Sequence, residues 1–507
     1  MALLGLALLP ASAQAEQRLM TWDTESRFVD PNQIPGAHYN RPPGTPPRPN
    51  ALKVNVRLPD GYDAPANAKT RYPVLFLLHG VGDGFDSWAH PAQGDLLEVA
   101  KDFPGIVVMP EGDRGFYMDA WNGGRRGDPA WERYHLDELI PLAEQKLRIA
   151  PGRSKHAIAG FSMGGQGSAY YAAQRPGYFG AVALSSAYLS IQRPTYQTAF
   201  ELGSQRKSEE LFGDPAAQAF YWEGHNPLAL LGNLEHTRVF VAVGDGVPGT
   251  FEEAANPAAN GAEMDLAEHA REFVQAARGR VRDLAYEPQQ GGHFWRYWRR
   301  HLAGAIRWGL FEDVPEDPAR WRFRTVSQRG AAWDYRFEFE QPPDRVQQLE
   351  REGDRLSGNG SGSVHLCAKD GGEISAALPF DQPLPKPSRP AKLALPFPSL
   401  DRAAAGGVLR ARVKPVSGAG KLRVTATARR PKLGARKAKR VTIAARSIGF
   451  REGEAKTVKL RVRASGRRLL RELAGEDGRG AARVRVLARS TDCAGNKRAR
   501  ALTKTLR

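Results

Sequence analysis

Short apolar runs alternate with helical segments up to about residue 290, and this alternation constrains the fold more than any other feature. The run at residues 73–78 lies between a Pro and a Gly and is apolar throughout, as expected of a strand buried on both faces of a parallel sheet. The predicted strands are residues 51–58, 73–78, 105–109, 155–159, 181–184, 238–243 and 282–286. Helical segments follow at residues 135–147, directly after Ser162, and at residues 265–277. The pattern predicts an α/β fold with a mostly parallel sheet covered by helices.

The chain has 507 residues, which suits two or three domains. An apolar run at residues 2–9 precedes the small-residue pattern Ala13-Gln14-Ala15, which is typical of a secretory signal peptide. Short alternating segments separated by Gly-containing turns fill the last hundred residues and favour a β-sandwich of the Ig-like type. The predicted organisation is a signal peptide (1–15), an α/β catalytic domain (16–315), a small β unit (316–382), a Pro-rich linker (383–400) and a basic β-sandwich module (401–507).

The positive charge is concentrated near the C-terminus. From Lys386 onward there are 34 Lys and Arg against 7 Asp and Glu, a net charge of +27, which leaves −9 for residues 1–385 out of a total of +18. This region contains only two aromatic residues, Phe397 and Phe450, so stacking contacts to bases are scarce and no nucleic-acid partner is expected. Attraction to an anionic cell envelope and a composition bias without any ligand remain equally open interpretations.

The two cysteines, Cys367 and Cys493, both lie in the C-terminal region. Secretion would permit a disulfide between them, and two buried free thiols are the alternative. Their spacing matches no metal site, and we expect neither a metal nor a cofactor.

The motif Gly160-Phe161-Ser162-Met163-Gly164 lies between a predicted strand and a predicted helix. In that context a G-x-S-x-G sequence places the serine on a sharp turn with small residues on either side. Because a serine hydroxyl is a weak nucleophile alone, such a site needs a base that removes its proton. We therefore predict Ser162 as a nucleophile.

His293 follows the last predicted strand in a Gly-flanked loop, which is where chains of this type place the base. His79-Gly80-Val81-Gly82 follows the first buried strand, in the position of a loop that binds an oxyanion. The expected donors are the backbone N–H groups of Val81 and Met163. An ordinary surface histidine and an ordinary Gly turn are the alternatives.

The acid that should orient His293 has several candidates. Asp245 directly follows a predicted strand, whereas Asp265 and Glu268 lie about one helical turn apart on the next helix. Glu263 is a further option, and most acids on such a helix are simply solvated. The residues alone do not choose among them.

Five stretches resemble the esterase D-like branch of the α/β hydrolases, and most closely its secreted mycolyltransferase (antigen 85) members. They are LLHGVGDGFDSWAH, MPEGDRGFYMDAWNGG, GFSMGGQGSAYYAAQRPGYF, VFVAVGDGVPG and GGHFWRYW, between residues 74 and 300. The resemblance implies Ser162 as nucleophile, His293 as base and an oxyanion hole at Val81 and Met163. A mycolyltransferase takes its acid from the helix after the Gly-Asp-Gly turn, which implies Glu268, whereas an esterase D relative implies Asp245.

His79 occupies a position where mycolyltransferases typically have a sugar-binding Asp, so the resemblance does not extend to mycolate specificity. We predict a secreted or cell-surface serine esterase or acyltransferase that acts on an ester or acyl-lipid substrate. Glu268 is preferred as the acid, with Asp245 and Asp265 as alternatives. A non-catalytic cell-envelope binding protein on a hydrolase scaffold is the competing function.

Overall fold

The computed structural model describes residues 18–34, 52–124, 129–249, 256–389, 392–397, 399–414, 420–430, 439–450, 455–475 and 480–507. The predicted signal peptide lies outside these residues. The chain forms two compact units, the first comprising Met1–Trp333 with Pro342–Ser361 and the second Asp334–Gln341 with Gly362–Arg507. The residues predicted as a small β unit are thus divided between the two. Within the described ranges, no helix has the length and apolar character needed to cross a membrane.

The first unit is built on an eight-stranded sheet of order β1-β2-β4-β3-β5-β6-β7-β8. Strands β3 to β8 run parallel, and the two strands at one edge, β1 and β2, pair antiparallel. Seven of the eight strands match the predicted runs, and the mostly parallel α/β sheet is confirmed. The strands are β1 (Arg18–Asp23), β2 (Lys53–Leu58), β3 (Val74–Leu78), β4 (Ile106–Pro110), β5 (His156–Phe161), β6 (Ala181–Ser185), β7 (Arg238–Gly244) and β8 (Asp283–Gln289).

Helices cover both faces of this sheet. Side chains of successive strand residues point to opposite faces, so they enter two different hydrophobic cores. In β3, Val74, Phe76 and Leu78 enter one core and Leu75 and Leu77 the other. Helices α3, α4 and α8 pack on the first core, and α1 and α9 on the second. The helices are α1 (Leu96–Val99), α2 (Trp131–Arg133), α3 (Ile140–Lys146), α4 (Met163–Gln174), α5 (Pro194–Ser204), α6 (Ser208–Phe212), α7 (Ala219–His225), α8 (Pro257–Ala277) and α9 (Trp295–Trp308).

Short antiparallel strands follow the α/β domain. In the first unit β12 pairs with β9 and β13, and in the second unit β14 pairs with β11 and β15. These strands are β9 (Arg320–Thr325), β10 (Arg329–Ala332), β11 (Tyr335–Phe339), β12 (Gln347–Glu352), β13 (Arg355–Asn359), β14 (Ser363–Ala368), β15 (Glu373–Ala377) and β16 (Phe380–Pro383).

The C-terminal module has two antiparallel sheets, of order β17-β18-β21 and β20-β19-β22-β23. Its antiparallel sheets are confirmed, but two helices, α10 (Leu400–Gly406) and α11 (Ala464–Ala474), are additions to the predicted all-β module. Their apolar side chains join the core of the module. The strands are β17 (Lys392–Ala394), β18 (Val408–Lys414), β19 (Gly420–Arg430), β20 (Lys439–Phe450), β21 (Lys456–Arg461), β22 (Ala482–Thr491) and β23 (Lys497–Leu506).

Cys367 and Cys493 form a disulfide within the second unit. The bridge joins β14 to the turn between β22 and β23, across 126 residues of sequence. Of the two alternatives open from the sequence, the structure therefore has the disulfide.

Candidate active site

Ser162 lies on the sharp turn between β5 and α4. Its backbone has φ 52° and ψ −122°, a conformation that costs a non-glycine residue energy and that the surrounding structure must enforce. The turn is held by a hydrogen bond from the Ser162 N–H to the Ser185 carbonyl oxygen on the neighbouring strand, at 2.9 Å. The geometry is that of a nucleophile elbow, as the motif predicts.

Two glycines of the motif are required by close backbone approach. A Cβ on Gly160 would lie 2.4 Å from the Gly164 carbonyl oxygen, and a Cβ on Gly164 would lie 2.5 Å from the His79 carbonyl oxygen. Both distances are far inside van der Waals contact, and the obstructing atoms are backbone. Gly160 and Gly164 therefore let the strand and the helix approach closely enough to form the elbow.

A continuous chain of hydrogen bonds runs from the elbow to a buried carboxylate. The Ser162 Oγ lies 3.1 Å from the Nε2 atom of His293, and the His293 Nδ1 lies 2.7 Å from the Oε2 atom of Glu263. The Glu263 side chain is fully buried, whereas that of His293 is 19% exposed. Both distances are within hydrogen-bonding reach, so a proton can pass from the serine to the imidazole without rearrangement.

Glu263 is held by two further donors on its other carboxylate oxygen. The Ser186 hydroxyl and the Gly244 N–H both donate to Oε1, each at 2.6 Å. With the imidazole on Oε2, the carboxylate accepts three hydrogen bonds in a site closed to water. A buried carboxylate needs such partners, since an unpaired one would be strongly destabilising.

The three acids preferred from the sequence lie elsewhere, whereas Glu263, the further option, contacts His293. Glu268 is exposed and pairs with Arg193 at 2.5 Å, and Asp265 accepts a hydrogen bond from the Thr195 hydroxyl at 2.9 Å. Asp245 is also exposed, and its Oδ1 accepts from the N–H groups of Val247 and Gly291. None of these three side chains is within hydrogen-bonding distance of His293 in the structure. Asp245 nevertheless supports the backbone of the loop that carries His293.

The position of α8 explains why Glu263 takes this place. The sequence pattern predicts a helix from residue 265, but the helix begins at Pro257, so Glu263 already lies in its second turn. Glu263 continues the buried face formed by Leu266, Ala267 and Ala270. Glu268 lies five residues later, about 140° around the helix, and therefore points to solvent. A signal was present in the sequence, because Glu263 extends this apolar stripe by one turn at i, i+3 and i+4 spacing.

The two predicted oxyanion donors follow the ends of neighbouring strands. Val81 follows β3 and Met163 follows β5, and these strands pair in parallel with Leu78 opposite Gly160. Both residues therefore lie at the sheet edge where Ser162 is found. Met163 is the first residue of α4, so its N–H belongs to the end of the helix that attracts negative charge.

His79 supports the loop that carries Val81. Its side chain is 1% exposed, its Nδ1 lies 2.8 Å from the Gly80 carbonyl oxygen, and the Gly112 N–H donates to its Nε2 at 2.9 Å. Because Gly112 can only donate, Nε2 is the accepting nitrogen of His79, and Nδ1 is the nitrogen that donates to the Gly80 carbonyl oxygen. The Tyr117 hydroxyl donates to the His79 carbonyl oxygen at 3.0 Å. Enclosed in this way, the His79 side chain does not reach a substrate.

Comparison with known proteins assigns the family. Residues 49–308, just over half of the chain, match the family described as "Putative esterase". The chain belongs to this esterase family. This match confirms the predicted resemblance. At the level of the family, it also confirms the predicted enzyme class, that of ester hydrolases and acyltransferases.

Named relatives match just under half of this chain. Esterase Rv1288 of Mycobacterium tuberculosis is 28% identical over 248 residues, which are 48% of this chain and 52% of that protein. The mycolyltransferase Ag85B of Mycolicibacterium smegmatis is 25% identical over 249 residues, 46% of this chain and 74% of that protein. The acetyl esterase of Caldicellulosiruptor saccharolyticus is 25% identical over 237 residues, 46% of this chain and 82% of that protein. The chain thus spans about half the length of Rv1288.

Among solved structures, MPT51 of Mycobacterium tuberculosis aligns with a TM-score of 0.41 at 22% identity, covering 53% of this chain and 96% of that one.

Among the described residues of the chain, no group of three or more His, Cys, Asp or Glu side chains could hold a metal ion.

A separate cavity of about 260 Å³ in the first unit contains no member of the hydrogen-bonded chain. Glu132 lies at its wall, with the Tyr170 hydroxyl donating to Oε2 at 2.9 Å and the Ser327 hydroxyl donating to Oε1 at 3.1 Å. The pKa of Glu132 is raised from 4.5 to about 7. Burial is the largest cause of this rise, and the nearby Asp119 carboxylate is the second. This carboxyl group therefore changes its charge near neutral pH.

Glu132 should make the stability of the first unit fall as the pH rises. Its pKa is higher in the folded state, so between pH 4.5 and about 7 the folded chain binds more protons than the unfolded chain. The free energy of unfolding must then decrease across this window, because the proton that stabilises the folded state is lost. We expect Glu132→Gln to flatten this part of the Tm profile between pH 4.5 and 7.5. The exposed Glu268→Gln should leave the Tm profile unchanged. Identical slopes of Tm against pH in the wild type, Glu132→Gln and Glu268→Gln would contradict the assignment of this pH dependence to Glu132.

Proposed function

We propose that this esterase cleaves or transfers the acyl group of a carboxylic ester through an acyl-Ser162 intermediate. The observation that carries the proposal is the continuous hydrogen-bonded chain Ser162–His293–Glu263. Glu263 is proposed as the acid of the triad, in place of Glu268, Asp245 and Asp265. Glu263 is a glutamate on the helix after the Gly-Asp-Gly turn, which agrees with the mycolyltransferase pattern. It lies five residues before Glu268, the residue that the resemblance implies.

Acylation begins when the Ser162 Oγ attacks the ester carbonyl carbon and its proton moves to the His293 Nε2. The carboxylate of Glu263 holds the Nδ1 proton of His293 and stabilises the imidazolium that forms. The negative charge on the carbonyl oxygen is accepted by the N–H groups of Met163 and Val81. Collapse of this tetrahedral intermediate breaks the bond to the alcohol, which leaves with the proton from His293.

Deacylation repeats the same proton transfers with a different nucleophile. Water or a hydroxyl of an acceptor loses its proton to His293 and attacks the acyl carbonyl, and Ser162 recovers the proton as it leaves. The names of the relatives include an acetyl esterase and a diacylglycerol acyltransferase/mycolyltransferase, so they share acyl-ester chemistry but not one acyl group. The proposal is accordingly one of reaction class, with the carboxylic ester as substrate.

We further propose that this esterase is secreted and retained at the cell surface. The disulfide between Cys367 and Cys493 supports an oxidising compartment, because the cytosol keeps most thiols reduced. The apolar run at residues 2–9 and the following Ala-Gln-Ala pattern support export. The net charge of +27 from Lys386 onward supports attraction to an anionic envelope.

A fluorophosphonate probe tests the proposed nucleophile directly. In the wild-type protein the Ser162 Oγ should bond to the phosphorus of the probe and displace fluoride, which adds one phosphonyl group to the tryptic peptide that contains Ser162. His293→Gln should label far more slowly, since the serine then lacks its base. Labelling on any other residue, or equal labelling rates in both proteins, would remove the basis of the mechanism.

A panel of p-nitrophenyl esters with increasing acyl length measures the reaction itself. Release of p-nitrophenol should occur with at least part of the panel, and added glycerol or sugar should divert the acyl group into a new ester if transfer competes with hydrolysis. Covalent labelling without turnover of any ester would argue against the proposed activity.

A further inference from the structure

The outward face of the three-stranded sheet β17-β18-β21 carries a dense group of cations. These residues, termed the basic face, are Lys392, Arg410, Arg412, Lys414, Lys459 and Arg461, and all six are exposed. The opposite side of the same strands is apolar and buried, with Leu409, Ala411 and Leu460 inaccessible to solvent. Strand alternation therefore places one side in the core and leaves the other side almost entirely basic.

The register of the strands brings like charges directly opposite each other. Lys392 pairs across the strands with Lys414, and Arg410 pairs with Lys459. Side chains in such pairs are neighbours on the sheet, where like charges destabilise the pairing. Bound counter-charges would relieve this repulsion.

No acidic residue compensates the basic face within its own strands. The segments of β17, β18 and β21 contain no Asp or Glu. In the described part of the chain, none of the six side chains takes part in a salt bridge or donates a hydrogen bond. Among the described residues, these six cations therefore have no side-chain partner.

The chemistry of the face selects the kind of ligand. Its three strands contain no aromatic side chain, so they offer no platform on which a base or a sugar ring could stack. Three of its cations are arginines, whose planar guanidinium groups bind phosphate oxygens in pairs. Recognition on this surface depends on charge density along an extended ligand rather than on a pocket.

We propose that the basic face binds a linear polyanion with phosphate groups repeated along its chain. The inference rests on the proposed retention of this esterase at an anionic envelope, and it specifies the surface and the partner chemistry. A polymer chain can lie across the three strands and place phosphates between opposed cations such as Arg410 and Lys459. Binding then removes the like-charge repulsion that the strand register imposes.

The exposed arginines of the two helices of the module provide a charge-matched control. Arg402 lies on α10, and Arg468 and Arg471 lie on α11, outside the basic face. The outward face of the four-stranded sheet is unsuitable as a control, because Arg423 lies opposite Arg489 there and forms a like-charge pair of the same kind. Removing three arginines from the basic face or from the helices lowers the net charge of the protein by the same amount.

The test compares two triple variants for binding to inorganic polyphosphate. The basic-face variant is Arg410→Gln/Arg412→Gln/Arg461→Gln, and the control is Arg402→Gln/Arg468→Gln/Arg471→Gln. The first should weaken binding about tenfold or more and reduce the slope of log K against log salt by about 2, as expected for three lost phosphate contacts. The control should change binding by less than about threefold, because its net charge is matched and non-specific attraction alone is affected.

Three outcomes would overturn the proposal: equal losses in both variants, binding that is independent of salt, or preferential binding to vesicles of anionic lipid over polyphosphate. A third variant, with Arg410, Arg412 and Arg461 replaced by Lys, should keep much of the affinity, which distinguishes lost charge from lost folding. Hydrolysis of a soluble p-nitrophenyl ester should be unchanged in all variants. A failure of the polyanion proposal thus stays separate from a failure of the catalytic one.

Discussion

Replacing Ser162 with alanine should lower kcat for ester cleavage by about 10⁴- to 10⁶-fold, since loss of a triad nucleophile removes the covalent route altogether. The change deletes only the hydroxyl that lies 3.1 Å from the His293 Nε2. The elbow itself is held by the hydrogen bond from the Ser162 N–H to Ser185 and by the adjacent glycines, which the substitution leaves in place. Folding should therefore be retained, as checked by the thermal unfolding midpoint, while kcat is measured on a soluble ester.

Ser168→Ala is the matched control for this experiment. Ser168 is also fully buried and lies on α4, where its hydroxyl donates to the Gly164 carbonyl oxygen at 2.7 Å. Alanine is at least as favourable as serine in a helix interior, so the fold and most of the activity should remain. Activity of Ser162→Ala within about tenfold of wild type would exclude Ser162 as the nucleophile, because no triad serine is so dispensable.

Local patterns were sufficient to predict the sheet and the position of Ser162. Strands buried on both faces are apolar at every residue, so runs such as residues 74–78 stand out against the helices between them. Ser162 and His293 follow strand ends, where motif and chain order can be recognised from the sequence. β1 was missed because its sequence, RLMTWD, is neither strictly alternating nor apolar throughout, and its side chains are exposed or only partly buried.

The sequence patterns did not predict the helices α10 and α11, because the neighbouring segments dominate the pattern in each case. Leu469 and Leu470 are the only large apolar side chains buried by α11, and the helix follows strands whose alternating Arg and Val residues dominate the local pattern. α10 is seven residues long and rich in alanine, which gives little periodicity. In both cases packing against the core of the module determines the helix, and the sequence window is too short to reveal it.

Glu268 was preferred to Glu263 from the sequence for a different reason, which concerns the start of one helix. The residues before Asp265 include Pro257, Asn260 and Gly261, which are weak helix formers, so the pattern indicates a helix only from Asp265 onward. Pro257 instead occupies the first turn, where proline is tolerated, and the Asn256 side chain caps the helix by accepting from the Ala259 N–H at 3.0 Å. This earlier start places Glu263 on the buried face and Glu268 on the exposed one.

Glu263→Gln should lower kcat by a factor of about 10⁴, because the amide reverses the hydrogen bond to the imidazole. The amide oxygen can still accept from the Ser186 hydroxyl and the Gly244 N–H, so the glutamine fits the site and the fold is kept. Its NH₂ group then faces the His293 Nδ1 and can only donate to it. The imidazole is thereby forced to carry its proton on Nε2, the atom that must accept the proton of Ser162, and the positive charge of the imidazolium loses its partner.

Glu268→Gln, on the same helix, is the control that makes this result specific, because it changes the same chemical group at an exposed site paired with Arg193. A pairing of this kind on the surface contributes about 1 kcal/mol or less to stability, and kcat/KM should remain close to wild type. Asp245→Asn should have an intermediate effect, since the Asp245 carboxylate binds the Gly291 N–H two residues before His293 but does not contact the ring. The opposite result would be near-normal activity of Glu263→Gln together with severely impaired Asp245→Asn. It would make the strand-end Asp245 the third member of the triad. The His293 loop would then have to rearrange during the reaction, so that its imidazole exchanges Glu263 for Asp245.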